Sequence, residues 1–194
     1  MVERMKTREL LVESLFELTE EIPLDKVTVK MITDNCHLTK RTFYNYFHDK
    51  FELVEYGIKS LVSKSLKPRG GNLEWKTSAN QMMRNFYEKK KSLKNICMYQ
   101  GQNDIQQILY EMTMDTFWAW LETGGALDRY DEEDMHFLVE FFAAGEANML
   151  FKWFTGKIDM TPEDMALRLN VCLPPALTDY FYNEEEGHMS LEEK

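Results

Sequence analysis

Apolar residues recur at helical spacing along almost the whole chain, and no window keeps the alternation of a half-buried strand. Between residues 3 and 21, Leu11, Leu15, Leu18 and Ile22 form one stripe, and Glu13, Glu17 and Glu20 take the opposite face. Pro23 closes that helix. Thr28 stands where an N-cap belongs, ahead of Val29 and Ile32 in a second helix. After a break at Cys36-His37-Leu38, Thr39 caps a short third helix with the sequence TKRTFYNYF. Asp49 and Glu52 have capping-box spacing and open a fourth helix to about Leu66, with Val54, Ile58, Leu61 and Ser65 facing inward. Pro68-Arg69-Gly70-Gly71-Asn72 reads as a connector. Helices are expected beyond it near 73–90, 92–99, 104–123, 131–155 and 161–182. Gly124-Gly125 stops one of these, Asp131 to Asp134 place negative charge on the start of the next, and Thr161-Pro162-Glu163-Asp164 opens the last. The pattern predicts an all-α fold.

Two short helices joined by a tight turn, with another helix packed behind them, make a helix-turn-helix. Ile32, Cys36, Leu38, Phe43 and Phe47 supply the apolar set that locks the pair. The other face of the third helix then carries Thr39, Lys40, Arg41, Thr42, Tyr44 and Asn45. Lys and Arg reach guanine edges or phosphates, and Thr, Tyr and Asn donate to phosphate oxygens or base edges. The helix starts at Thr28 and at His48 to Lys50 are expected to aim backbone amides at phosphates. Each residue alone is explained as well by packing or surface charge; the order of the whole set favours nucleic acid.

A net charge of −10 runs against DNA binding until its distribution is considered. Residues 26–50 hold five basic and two acidic groups, residues 55–103 ten and three, and the chain from Asp104 onward five and twenty. The acidic half is therefore separable from a neutral-to-basic front. Cys36, Cys97 and Cys172 are odd in number and far apart, as expected of reduced, mostly buried thiols in a cytoplasmic protein. No apolar run is long enough for a membrane span, and the first residues lack the apolar stretch of a signal peptide. There is no phosphate-binding glycine loop, nucleophile elbow or His-Glu-x-x-His, and His37, His48, His136 and His188 lack metal-ligand spacing. No catalytic residue, cofactor or metal is expected.

Residues 28–53, TVKMITDNCHLTKRTFYNYFHDKFEL, resemble the DNA-binding domain of TetR-type bacterial regulators. Thr28, Val29, Ile32, Thr42, Phe43, Tyr44, Tyr46, Phe47, Lys50 and Leu53 match in register without gaps. Cys36-His37-Leu38 departs from the usual Ala-Gly-Val, and His tolerates the left-handed turn that glycine supports there better than most residues do. The resemblance implies that Thr28 caps and touches phosphate, that Thr39, Lys40, Arg41 and Thr42 lie on the reading helix, and that Tyr44, His48 and Lys50 hold the phosphate backbone. It also implies a homodimer on a double-stranded, palindromic DNA operator. In that scheme residues 1–50 are the helix-turn-helix domain and 51–71 a connecting helix and linker. Residues 72–183 are the effector-binding and dimerisation domain, and 184–194 a polar tail.

The back half is rich in aromatics and Met, and helix 131–155 is apolar on more sides than its own core uses. Ala143, Ala144, Gly145 and Ala147 allow a second helix to approach, which argues for a dimer. Phe86, Phe117, Trp118, Phe141 and Trp153 are candidates to line a site for a small apolar or aromatic effector, although such stripes are more often plain core. The segment FFAAGEANMLFKWFTGKIDMTPEDM resembles the regulatory domain of the TetR-type branch that contains activators of dihydroxyacetone kinase operons. In that branch some members respond to a protein partner, so a protein co-regulator stands beside the small molecule. The alternative function is a helical ligand- or protein-binding module with subordinate DNA binding.

Overall fold

The computed structural model describes residues 2–65, 75–101, 105–124, 131–174 and 177, with no strand among them. The order is α1 (Val2–Glu21), α2 (Val29–Asn35), α3 (Lys40–Tyr44), α4 (Lys50–Ser63), α5 (Trp75–Glu88), α6 (Lys90–Cys97), α7 (Ile105–Gly124), α8 (Glu132–Phe154) and α9 (Pro162–Val171). The connector 68–72 and the tail 184–194 lie outside the described residues.

The first helix is the shared wall of the molecule. Leu11 and Leu15 of its predicted stripe are fully buried, with Val12 and Phe16 beside them. On one side Ser14 Oγ donates to the Ile32 carbonyl at 2.7 Å, and Asn35 Nδ2 donates to Ser14 Oγ at 3.1 Å and to Glu17 at 2.8 Å, fastening α2. On the other, Asn95 Nδ2 donates to the Thr19 carbonyl at 2.8 Å and the Thr19 and Ser92 hydroxyls meet in a buried hydrogen bond, fastening α6. Lys89 pairs with Glu13 at the rim of this joint. The fourth helix crosses α1 closely at Gly57, where a Cβ would stand 3.3 Å from Phe16 Cζ. Its inward stripe is as the pattern predicts: Val54, Ile58, Leu61 and Ser65 are buried.

Two ties bind α4 to the back half. Asn85 Nδ2 on α5 donates to the Leu61 carbonyl and, at 2.7 Å, to Ser65 Oγ; Lys59 lies between Glu55 and Asp115 of α7. Beyond them α7 packs along α8, and α5 packs along α9.

Three expectations are corrected. The helix expected over 161–182 stops at Val171, because Pro174 offers no N–H to continue it and restricts Leu173 before it. The segment TKRTFYNYF is helical only over Lys40–Tyr44; the N–H groups of Asn45, Tyr46 and Phe47 tighten onto nearby carbonyls as a closing turn. Of the three thiols only Cys97 is buried, and burial pushes it up to about 12; Cys36 is half-buried and Cys172 exposed. Among the described residues no helix is long and apolar enough to cross a membrane.

The turn between α2 and α3 ends the former with two reversed bonds. His37 N–H donates to the Asp34 carbonyl at 3.3 Å and Leu38 N–H to the Thr33 carbonyl at 2.8 Å, the pairing of a Schellman cap. The residue at its left-handed position is His37, with φ +56°, where a Cβ is penalised. The sequence signal at Cys36-His37-Leu38 is thus a conformational one. Replacing His37 by Gly is expected to raise unfolding stability by about 0.5–1 kcal/mol, and His37→Val to lower it, as read by chemical denaturation.

Candidate nucleic-acid interface

Buried rings set the placement of α3. Phe43 is fully buried and Phe47 nearly so, their centroids 5.8 Å apart, and Phe47 also packs on Tyr56 of α4 at 5.5 Å. Ile32 of α2 is fully buried in the same core. Arg8 of α1 stands over the Tyr46 and Tyr56 rings at 5.8 and 5.3 Å, a brace the sequence pattern did not reveal. With Phe43 turned inward, Lys40, Arg41, Tyr44 and Asn45 are exposed and Thr42 is half-buried. Neither Lys40 nor Arg41 is ion-paired among the described residues, so this face presents two uncompensated cations.

The caps fall where the residue types demand. Thr28 Oγ1 accepts from Met31 N–H at 3.2 Å, and Thr39 Oγ1 from Thr42 N–H at 3.1 Å. Asp49 Oδ1 accepts from Phe51 and Glu52 N–H at 2.7 and 2.9 Å, while the Glu52 carboxylate reaches back to the His48 N–H at 2.6 Å. The start of α4 is therefore capped from within the chain, and of the amides expected to face phosphate there, that of His48 is engaged by a carboxylate. His48 keeps its side chain exposed.

Lys50 is placed differently from the other expected contacts. Its ammonium donates to the carbonyls of Leu24 at 2.7 Å, Val27 at 2.8 Å and Asp25 at 3.5 Å, and burial holds its pKa below the usual lysine range against the pull of Asp25 and Asp49. Leu24 and Val27 are buried, so their carbonyls need donors that water supplies poorly. In this form Lys50 braces the α1–α2 connector, which ends on Thr28.

The five expected lining aromatics are divided among different contacts. Phe86 and Trp153 are buried against Phe154, with Trp153 Nε1 donating to the Met160 carbonyl at 3.0 Å. Phe117 packs edge-on against Phe142, and Trp118 meets His136 at 4.2 Å. Phe141 points outward, 72% exposed, beside Phe137. A cleft lies elsewhere, between α5, α8 and α9, with about 10 Å³ of free volume, near the space of one water. Met82, Met83, Phe142, Leu169, Asn170 and Leu173 line it around Glu146, and Glu146 alone among its lining residues titrates. Glu146 is buried with no hydrogen bond or ion pair to its carboxyl among the described residues, and desolvation pushes it up to about 7. A lone acid inside the apolar run FFAAGEANMLF was the available sequence signal for it.

Two family models decide the identity. Residues 11–56 match that of bacterial regulatory proteins of the tetR family, and residues 74–174 match that of a transcriptional regulator C-terminal region. The chain belongs to the TetR family of transcriptional regulators. It is a DNA-binding transcriptional regulator with an N-terminal DNA-binding domain and a C-terminal helical domain. Among solved structures, one described as the dihydroxyacetone kinase operon activator DhaS is similar over 90% of this chain and 97% of its own, with a TM-score of 0.65 at 12% identity. A TetR transcriptional regulator from Streptococcus agalactiae 2603V is similar over 91% and 94%, with a TM-score of 0.55 at 16% identity. At such identities the likeness is one of fold. No curated protein matches the chain.

Two outcomes follow for this TetR-family protein. Lys50→Ala is expected to lower unfolding stability by about 2 kcal/mol, the worth of charged hydrogen bonds lost from buried carbonyls. A purely phosphate-binding Lys50 would instead leave the melting temperature alone and reduce the salt slope of DNA binding by about one. Glu146 binds its proton more tightly folded than unfolded, so its effect on stability is worst at high pH. Stability should fall by about 2–3 kcal/mol as pH rises from the usual 4.5 through the folded value of about 7. Subtracting the profile of Glu146→Gln, measured by urea unfolding, isolates this part.

Proposed function

We propose that this regulator acts as a homodimer on a palindromic, double-stranded operator, under the control of a small-molecule effector or a protein co-regulator. The observation that carries the dimer is the outer face of α8. Phe137 is 69% and Phe141 72% exposed, Met149 is also exposed, and the exposed Ala144 and Gly145 lie between them at helical spacing. Nothing lies within 4 Å of a Cβ built on Gly145. Large apolar side chains flanking small residues, all facing water, are unfavourable in a monomer and suit a two-fold helix-on-helix contact. Ala143 and Ala147, expected on the same seam, turn inward and serve the subunit's own core.

In this reading residues 1–50 grip DNA, 51–71 connect, and 72–183 carry the control and dimer surfaces. Lys40 and Arg41 read base edges from α3, with Thr39 and Thr42 beside them. Thr28, Tyr44 and His48 hold phosphates, and Lys50 orients the connector that presents Thr28. Two copies related by a two-fold axis match the symmetry of the operator.

Phe141→Glu is expected to turn the dimer into a folded monomer in analytical ultracentrifugation and to cut operator affinity sharply. An unchanged dimer would remove α8 from the interface. Arg41→Ala should weaken operator binding by about 1–3 kcal/mol per half-site and relax preference at one base pair, while binding to scrambled DNA changes much less. Equal losses on both sequences would reassign Arg41 to the backbone.

A further inference from the structure

The cleft at Glu146 is a polar defect in an otherwise apolar junction. A buried carboxyl is stabilised by a cation or by several donors, and the walls of this cleft offer neither a lysine nor an arginine. One turn before Met82 on α5, Ser78 Oγ is also buried without a hydrogen-bond partner. An unpaired buried carboxyl with free space beside it forms a site that lacks its complement. The chemistry of the complement follows from the walls. Two thioethers, a phenyl ring and two leucines favour an apolar body, and the carboxyl favours a positive hydrogen-bonding head. A divalent metal is a poor fit: among the described residues no cluster of three His, Cys, Asp or Glu is placed to hold one.

We propose that the cleft between α5, α8 and α9 is an effector site, and that it takes a small apolar amine whose ammonium pairs with the Glu146 carboxylate. Its alkyl or aryl body enters as Met82 and Met83 swing aside, since unbranched thioether chains repack at little cost. Pairing holds Glu146 ionised, so the amine expels the proton that the carboxyl carries when the cleft is empty. The new contacts lie between α9, the α5 along which it packs, and the Glu146 side of α8. The consequence at the operator rests on the effector-controlled reading above; the binding itself does not.

The test is calorimetric titration of the full-length protein at pH 7 with benzylamine and n-pentylamine, and with benzyl alcohol and n-pentanol as uncharged matches. Saturable binding of at least one amine is expected, at least about tenfold tighter than its alcohol. In buffers of different ionisation heat, about half a proton should be released per amine bound. Glu146→Gln should lose both the preference for amine and the proton release. Ala166→Met, which fills the cleft and leaves the carboxyl in place, should weaken the amine while leaving operator binding intact. Equal affinity for amine and alcohol, no proton release, or Glu146→Gln binding amine as tightly as the wild type each overturns the site. If Glu146→Gln fails to fold, the wild-type comparison and its proton count decide alone. An amine that binds but leaves operator affinity unchanged overturns the effector role. Failure of the wild type to bind any operator overturns the regulator reading and leaves the amine result standing.

Discussion

A five-residue helix has no stability of its own; α3 exists because Phe43 and Phe47 are buried behind it. Each such ring contributes about 1.5–3 kcal/mol when it leaves water, against about 0.5–1.5 kcal/mol net for a single backbone hydrogen bond. That burial fixes which way α3 faces, and so which residues are left facing water. The caps at Thr28 and Thr39, the reversed bonds at His37 and the brace from Lys50 refine a placement the two rings impose. An exposed Arg41 follows from a buried Phe43, because residues two apart lie on nearly opposite sides of a helix; Lys40, at the first helical position, is exposed as well.

The same logic extends outward through α1. It carries α2 on one side and α6 on the other, so the DNA-binding and regulatory halves share a rigid element. The buried joint at Thr19, Ser92 and Asn95 matters more here than the Lys89–Glu13 and Lys91–Glu21 pairs, which sit near the surface where ion pairs contribute little. On the second route, α4 is held to α5 by Asn85 and to α7 by Lys59. A change in how α5, α8 and α9 pack therefore has a short mechanical path to α4 and α1.

Much of this was legible in the sequence because the relevant signals are local. The TVKMITDNCHLTKRTFYNYF segment, the threonine caps, the inward stripe of α4 and the odd histidine at the turn each depend on neighbours within a few residues. What was not legible depends on distant partners. The bonds from Lys50 to the carbonyls of Leu24 and Val27 reach across more than twenty residues, and no local pattern announces them. Phe141 was a candidate to line an effector site, but α8 turns it outward, while Glu146, one residue past Gly145, turns in. In a helix apolar on nearly every side, periodicity does not say which stripe meets which neighbour. The C-terminal end of α9 was overrun for a simpler reason: the pattern of apolar residues runs on through Leu173, but Pro174 has no N–H to extend the helix.

The central claim is that α3 reads a specific DNA sequence as one half of a symmetric pair. Selection of bound duplexes from a random pool by the full-length protein tests it most directly. The account predicts one enriched inverted repeat, with half-site centres about one helical turn or a whole multiple of it apart, and a changed half-site when the selection is repeated with Arg41→Ala. A pool that stays random, or an enriched site without two-fold symmetry that Arg41→Ala leaves intact, would contradict it.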